Sequence, residues 1–587
     1  MKVFNFLSLT RNLKNLKYIL PTIFLTILFL PNLASSQSTC GNGICETGET
    51  PDNCPEDCSV EKITIYAENV SQQQLLQGFL HGWNLNHDDP PNQKTIELIA
   101  QLKPKYWRVH DLDMYNFAKE NFDPKITFDI YHYYWLWKGL EGPNLAKPWE
   151  DWADYEDHVR KLVTLSKEKN YPVDYWNPWA EPDTYHGWGG TCEQMLEMFE
   201  RTYNVIRETD PDAKIVAPDL TAFAGPFNGG PCNPGGSDQF LRGSDHVLRK
   251  FLDYSAEKNL KWDAISWHEL DSVPEDILGH VDAARKAIET LSLGNPEIHI
   301  NEFSGHIDHL IPGWTVGWLY YLERAGVDFV SRACWCAKIP FDCPPGPEWD
   351  CWYGLDGLFY NSTHPQPLYW VHHAYAQMTT QRLRSESTRT RTVAIASRDD
   401  DKKQLKILVG RYGEKAFSYT PQKIPPADVE ITIKDYPHAL DKVEVEILRI
   451  PNENIDQPLD EPILVSKKLY EVMDEVMDQT IKIPINSFQD GDAYSITIKP
   501  SIPVCGNGIC DGNETCSTCP ADCGSCTTEA EDINSDGVVN VVDVQLCVNV
   551  FLGLETNPDI IARADVNNDG SVNIIDVQRI VNVFLGG

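Results

Sequence analysis

Along the first two thirds of the chain, two rhythms of apolar and polar positions alternate. Strand-like apolar stretches are QGFLHGWNL, KYWRVHD, KITFDIYHYY, VDYWNPWAE, AKIVAPDL, WDAISWHE, EIHINEFSG and VDFVSRACWCA. Most are followed by helical periodicity, as in DHVRKLVTLSKEKN or EQMLEMFERTYNVIRETD. Eight such strands predict an α/β fold built on a (β/α)8 TIM barrel over residues 61–384. Over 385–502 the pattern changes to short period-two runs (RTVAIAS, QLKILVGRY, DVEITIKD, KVEVEILRI, DAYSITIKP) without crossover helices, which predicts an appended β-sandwich.

The ends of the chain follow other rules. Residues 1–36 hold four basic residues (Lys2, Arg11, Lys14, Lys17), no acid, the apolar run YILPTIFLTILFLPNLA and the small residues of LASSQS. This reads as a secretory signal peptide; because the basic region is long, an uncleaved anchor is the alternative. With the signal removed no later stretch is apolar enough to span a bilayer, so a secreted, extracellular or cell-surface protein with no membrane partner is expected. Removing those four positive charges takes the formal charge from −36 to −40. Such a surface repels nucleic acid and anionic lipid and favours neutral or cationic partners.

Seventeen cysteines fit an oxidising compartment. Modules at 37–60 and 503–527 share the spacing C-x4-C-x8-C-x3-C, through Cys40, Cys45, Cys54, Cys58 and Cys505, Cys510, Cys519, Cys523; the second adds Cys516 and Cys526. Modules this small need a staple, disulfides here, with zinc the alternative that the absence of histidine disfavours. Cys192 with Cys232, and Cys343 with Cys351, lie in loops where each pair would staple the barrel rim, whereas Cys547 falls in an apolar stretch and should stay reduced.

The last 60 residues contain a duplicate, DINSDGVVNVVDV and ADVNNDGSVNIIDV. Oxygen side chains stand at loop positions 1, 3, 5, 9 and 12: Asp532, Asn534, Asp536, Asn540, Asp543, then Asp565, Asn567, Asp569, Asn573, Asp576. Position 7 would add the carbonyls of Val538 and Ser571. This spacing suits calcium, one ion per loop. Residues 528–587 resemble a dockerin, an α-helical EF-hand-like module, and the resemblance implies a cohesin-bearing scaffold protein as partner. The residues before position 12, Val541, Val542, Ile574 and Ile575, are apolar in both copies. They imply a hydrophobic contact.

In a β/α barrel the reacting groups sit at strand C-termini. Glu181, in WNPWAEPD, ends the fourth strand and Glu302, in IHINEFSG, ends the seventh. Two carboxyl groups over one barrel mouth are what a retaining glycosidase needs. The arrangement resembles clan A glycoside hydrolases, most like family 39, the group of β-xylosidases and α-iduronidases. The resemblance implies a carbohydrate substrate, Glu181 as acid/base, Glu302 as nucleophile, and no cofactor for catalysis. It further implies that His268 in SWHEL lies near the nucleophile and that Arg108 and His110 in WRVHD line the sugar subsite.

One departure stands out: Ala180 occupies the position where the clan usually has an asparagine that contacts the sugar 2-hydroxyl. Asn177 or Asn301 would be substitute donors. A substrate needing no such donor would equally accommodate the alanine, as would a barrel that only binds glycan. A non-catalytic component of a cohesin–dockerin assembly is therefore the alternative function. Trp335, between Cys334 and Cys336, is expected to face the barrel mouth, and Trp188, Trp349 and Trp352 are expected in rim loops, where aromatic faces would stack on sugar. Glu269 should point away from the site. Asn69, Asn361 and Asn513 match glycosylation sequons.

Overall fold

The computed structural model describes residues 60–80, 91–139, 145–184, 186–223, 232, 246–270, 272–305, 308–333, 355, 357–361, 363–401, 403–415, 421–436, 442–454, 457–475, 478–501, 530–536 and 538–585. The signal segment, both cysteine-rich modules, Trp335, Trp349, Trp352, Cys343 and Cys351 lie outside them. Among the described residues no helix is long and apolar enough to cross a membrane.

Strand β1 (Glu61–Gln72) precedes the eight barrel strands: β2 (Gly78–Leu80), β3 (Tyr106–Val109), β4 (Lys125–Asp129), β5 (Tyr175–Asn177), β6 (Val216–Leu220), β7 (Ala264–Glu269), β8 (Glu297–Phe303) and β9 (Phe329–Arg332). They pair in parallel as two sets of four, β2 to β5 and β6 to β9, joined by a bridge between Trp176 and Ile215. Gly78 closes the ring: a Cβ there would lie 1.7 Å from the Val330 carbonyl oxygen, so only glycine lets β2 approach β9. Parallel pairing brings all eight C-terminal ends to one rim. Helices such as Trp152–Glu168, Cys192–Thr209 and Pro312–Ala325 bury one side against the strands, and caps such as Thr191, which accepts from the Gln194 N–H, fix where they start.

Two expectations need correction. Residues 61–72 are not barrel. Ile63, Ile65 and Ala67 are buried and alternate with exposed or half-exposed Lys62, Thr64 and Tyr66, the pattern of a strand in an antiparallel-type sheet rather than a buried barrel strand. Accordingly β1 runs antiparallel to Gln381–Ser387 and parallel to Ala427–Lys434 inside the β-rich domain. Nor is KITFDIYHYY one strand. It ends at Asp129, and Ile130–Trp137 is a helix, because Ile130 and Tyr134, one turn apart, bury together while the residues between are half-buried.

The β-rich domain is one ten-stranded sheet in the order Ile463–Glu471, Lys442–Ile450, Ala493–Pro500, Gln404–Arg411, Thr392–Asp399, Gln381–Ser387, β1, Ala427–Lys434, Asp478–Phe488, Met473–Glu475. Strands from both ends of this order, among them Val443, Val445, Ile481 and Ile483, share a single core, so the sheet folds over on itself as a sandwich. Thr392–Asp399 and Gln404–Arg411 are buried on both faces. Ala394, Ala396, Ile407 and Val409 face the sandwich core, while Val393, Ile395 and Leu408 join the barrel core.

Candidate active site

Six side chains at the barrel's C-terminal rim converge: Arg108 from β3, Asp129 from β4, Asn177 from β5, Asp219 from β6, His268 from β7 and Glu302 from β8. The ladder between β7 and β8 slips, so that Trp267 pairs with Ile300 and His268 with Glu302. The extra residue is Asn301, and this bulge lets two consecutive side chains, Asn301 and Glu302, reach the cluster.

Glu181 lies four residues beyond β5, in a left-handed backbone conformation (φ 51°) that costs roughly 1–3 kcal/mol for a non-glycine residue. Surrounding contacts hold it there. Its N–H donates to the Asp219 carbonyl (2.8 Å), and its own carbonyl accepts from the Thr184 N–H and hydroxyl (3.2 and 3.1 Å). Gly187 makes the tight return: a Cβ there would meet the Glu181 carbonyl oxygen at 1.9 Å. Asp183 accepts from the Thr221 N–H and hydroxyl (2.9 and 3.0 Å), pinning the loop to the end of β6.

The guanidinium of Arg108 reaches Asp129 (2.9 Å), Asp219 (2.9 Å) and Glu302 Oε1 (2.8 Å). Asp219, fully buried, also receives the amides of Asn177 (2.7 Å) and Asn301 (2.6 Å) and lies 3.2 Å from His268 Nε2. The other ring nitrogen, His268 Nδ1, lies 3.1 Å from Glu181 Oε1 and 3.9 Å from Glu302 Oε2. One oxygen each of Glu181 and Glu302 and a nitrogen of His268 all fall within 4.8 Å of one another. Glu181 keeps about a third of its side chain exposed (36%), Glu302 half that (17%).

Burial and charge oppose each other here. Burial disfavours charge on Arg108, but the three carboxylates outweigh it and hold the guanidinium charged. His268 is likewise disfavoured as a cation by burial, yet Glu302 and Asp219 raise its pKa well above the ordinary histidine value. Burial would raise Asp219, but Arg108 and His268 pull it down to about 2. Asp129, where burial prevails over Arg108, rises to about 6. Glu302 is raised by burial, with His268 and Arg108 opposing and Glu181 adding to the rise. The cluster thus holds two cations under two candidate reacting carboxylates.

Of the residues singled out from sequence, Glu181, Glu302, His268, Arg108, Asn177 and Asn301 fall in this one cluster. His110 lies beside it, stacked on His132 with ring centroids 3.7 Å apart. Asn177 and Asn301 are both fully buried, Asn177 donating to Asp129 and Asp219 and Asn301 donating to Asp219. Trp188 is not a rim aromatic. It is 1% exposed, packed against Trp149 and Trp179, because its indole N–H turns inward to the Thr191 carbonyl. Glu269, expected to point away from the site, is buried, accepting from Trp267 (2.6 Å) and paired with His280 (2.7 Å). Sequence reasoning missed Asp129 and Asp219. Asp129 closes β4 and Asp219 is the last but one residue of β6, but in sequence Asp129 sits inside the longer run KITFDIYHYY and Asp219 reads as a turn residue.

Cys192 and Cys232 form a disulfide that ties the start of the helix Cys192–Thr209 to the segment after β6. Cys547 is free and buried, its thiol raised to about 11 first by burial.

The C-terminal duplicate folds as two loops, each leading into a helix, Val541–Phe551 and Ile574–Phe584, around a small core of Ile533, Cys547, Val566 and Ile580. The loops repeat each other. Asp532 and Asp565 accept from the N–H of Asp536 and Asp569 (3.1 Å each), and Asp543 and Asp576, both fully buried, accept from the N–H of Asn540 (2.9 Å) and Asn573 (2.8 Å). Neither Asp543 nor Asp576 is paired with a basic side chain among the described residues, so two buried carboxylates suit a bound cation. Asn540 and Asn573 also cap the helices, their Oδ1 atoms accepting from Val542 (2.7 Å) and Ile575 (2.8 Å). Val541, Val542, Ile574 and Ile575 are all exposed.

Residues 530–585 match the dockerin type I domain, and this C-terminal segment is a dockerin. No curated protein matches the chain. Among solved structures, N2152 from Neocallimastix frontalis is similar at 18% identity and a TM-score of 0.58, covering 75% of this chain and 100% of that one. The GH39 enzyme from Xanthomonas axonopodis pv. citri follows at 13% and 0.54, covering 76% and 98%. A monomeric β-xylosidase from Caulobacter crescentus CB15 is similar at 11% and 0.52, covering 76% and 100%. The barrel and sandwich together therefore have a glycoside hydrolase fold.

Proposed function

We propose that the protein is a secreted glycoside hydrolase that cleaves a polysaccharide or oligosaccharide with retention and is tethered to a scaffold through its dockerin. The observation that carries the reading is the approach of the Glu181 and Glu302 carboxylates, an oxygen of each within 4.8 Å of the other. Retaining enzymes place their carboxyl groups about 5–5.5 Å apart, whereas inverting ones leave about 6.5–9.5 Å for a water. Glu302, beside two cations, is suited to attack the anomeric carbon as a carboxylate. Glu181, more exposed and at the rim, protonates the leaving oxygen and then deprotonates water. Arg108 and His268 orient the nucleophile.

In the dockerin, Asp532, Asn534, Asp536, the Val538 carbonyl, Asn540 and Asp543, with their duplicates Asp565, Asn567, Asp569, the Ser571 carbonyl, Asn573 and Asp576, would hold calcium. The ion supplies the positive charge that the buried carboxylates otherwise lack. Apolar Val541, Val542, Ile574 and Ile575 would meet a cohesin.

Substitution separates the two glutamates. Glu302→Ala should abolish turnover of every glycoside. Glu181→Ala should retain the first step on substrates with activated aryl leaving groups, and azide should restore the second. Equal partial losses without azide rescue would sink the paired-carboxylate mechanism. Buried Ala180, with no amide to offer a sugar, favours a second reading as a glycan-binding component; binding without turnover in the parent protein would support that one.

A further inference from the structure

We infer that Asp219 is a positioning residue that fixes His268 as a stationary imidazolium between the two glutamates, where one positive charge serves whichever carboxylate is ionised as the reaction proceeds. This rests on the glycosidase reading above.

Hydrogen-bond capacity places the protons. Asp219 accepts three certain donors, Arg108 Nη2 and Asn177 Nδ2 on Oδ2 and Asn301 Nδ2 on Oδ1, with His268 Nε2 also beside Oδ1. A carboxyl paired with a guanidinium at 2.9 Å and accepting two amides is held ionised, so the hydrogen between Asp219 and Nε2 belongs to the ring. Nδ1 faces Glu181 Oε1 at 3.1 Å and Glu302 Oε2 at 3.9 Å, both acceptors when ionised. A ring with acceptors on both nitrogens is held with two N–H groups.

The competing arrangement is a neutral ring whose Nε2 accepts from Arg108 Nη1 at 3.4 Å. That guanidinium nitrogen already has a shorter contact, Glu302 Oε1 at 2.8 Å, and Asp219 Oδ1 stands closer to Nε2 than it does. The charged groups facing His268 are therefore Asp219, Glu181 and Glu302 on the acidic side and Arg108 on the basic side.

The consequence lies in the charge balance of each step. In the first, a Glu302 oxygen bonds to the anomeric carbon and the glycosidic C–O bond breaks. The leaving oxygen keeps that electron pair and takes the Glu181 proton. One negative charge has then moved from Glu302 to Glu181. In the second, water gives a proton to Glu181 while its oxygen bonds to the anomeric carbon, the ester C–O bond breaks, and the charge returns to Glu302. His268 keeps both protons throughout. Because Nδ1 lies between the two carboxylates, the migrating charge stays beside the same cation, and no solvent need reorganise to follow it.

The test is an imidazole titration by NMR of the full chain with labelled histidine, the His268 signals identified by their loss in His268→Gln. In the parent, His268 should keep imidazolium shifts from pH 5 to 8; a titration near the ordinary value of about 6.5 overturns the proposal. In Asp219→Asn the same signals should titrate inside that window, and the basic limb of kcat/KM should move to lower pH by the same interval. An unmoved titration in a folded Asp219→Asn protein also overturns it. Should Asp219→Asn not fold, the parent titration and His268→Gln decide, the latter expected to lose about 10²-fold in kcat with its fold intact. A parent with no turnover on any glycan would instead defeat the glycosidase reading, while the titration would still report whether the imidazolium is fixed.

Discussion

Burial raises the Glu302 carboxyl, His268 and Arg108 pull it back, and Glu181 pushes it up again, so the acidic limb of activity can be moved one neighbour at a time. His268→Gln removes a positive charge and should move the acidic limb for activated aryl glycosides to higher pH. pH profiles of kcat/KM check it, and an unmoved limb would show that charge at this position does not govern Glu302. Ala180→Asn addresses the missing amide, since Asn177 and Asn301 donate to buried carboxylates. If the amide is merely lost, restoring it should raise the rate on a 2-hydroxy sugar, tenfold for each ~1.4 kcal/mol gained. A slower variant would mean that the pocket is shaped for another substituent. The two glutamates were legible because a carboxylate at a barrel strand's end has a known geometry to satisfy. Asp219 was not, since a lone aspartate in VAPDL reads as a turn residue until Arg108, Asn177, Asn301 and His268 are seen to converge on it.

Elements were legible where period and length agreed, and misread where they did not. The barrel strands are short, three residues in β2 and β5, yet each sat inside a longer apolar run that marked its place. In contrast, β1 alternates like a sandwich strand but lies ahead of the barrel in sequence, and chain order gave no hint that it pairs with strands more than 300 residues later. The dockerin loops were the most legible element, because oxygen ligands at fixed spacing, duplicated, leave little else to account for them. Two fully buried carboxylates without basic partners among the described residues suit a cation, and the module's folding is expected to depend on one. The isolated segment 528–587 should be poorly folded in chelator and gain helix with calcium, since binding energy at such loops is folding energy. Asp543→Ala should weaken calcium binding at the first loop and leave the second. Circular dichroism that ignores calcium would remove the basis for a metal-dependent module.

Across the whole molecule, barrel and sandwich share more than a linker. The helix Pro312–Ala325 lies against Thr392–Asp399 and Gln404–Arg411, and the Trp314 and Tyr412 rings sit 4.8 Å apart. Polar contacts cross the same seam: largely buried Glu323 holds Arg382 at 2.7 Å, and partly exposed Glu275 holds Arg391 at 2.7 Å. An interface with two-sided strands at its centre should not open on its own, so the two domains are expected to unfold in one transition. The dockerin, with its own core, should melt separately. Calorimetry with and without chelator should therefore show one transition that moves with calcium and one that does not. Glu323→Ala sharpens the test. It leaves the Arg382 guanidinium, 5% exposed, without its carboxylate, at a cost of about 3–5 kcal/mol. The whole calcium-insensitive transition should shift down together, and thermal loss of catalytic activity should follow it. If instead that transition splits, with the sandwich melting first while the barrel and its activity persist, the domains are independent and the seam does not couple them.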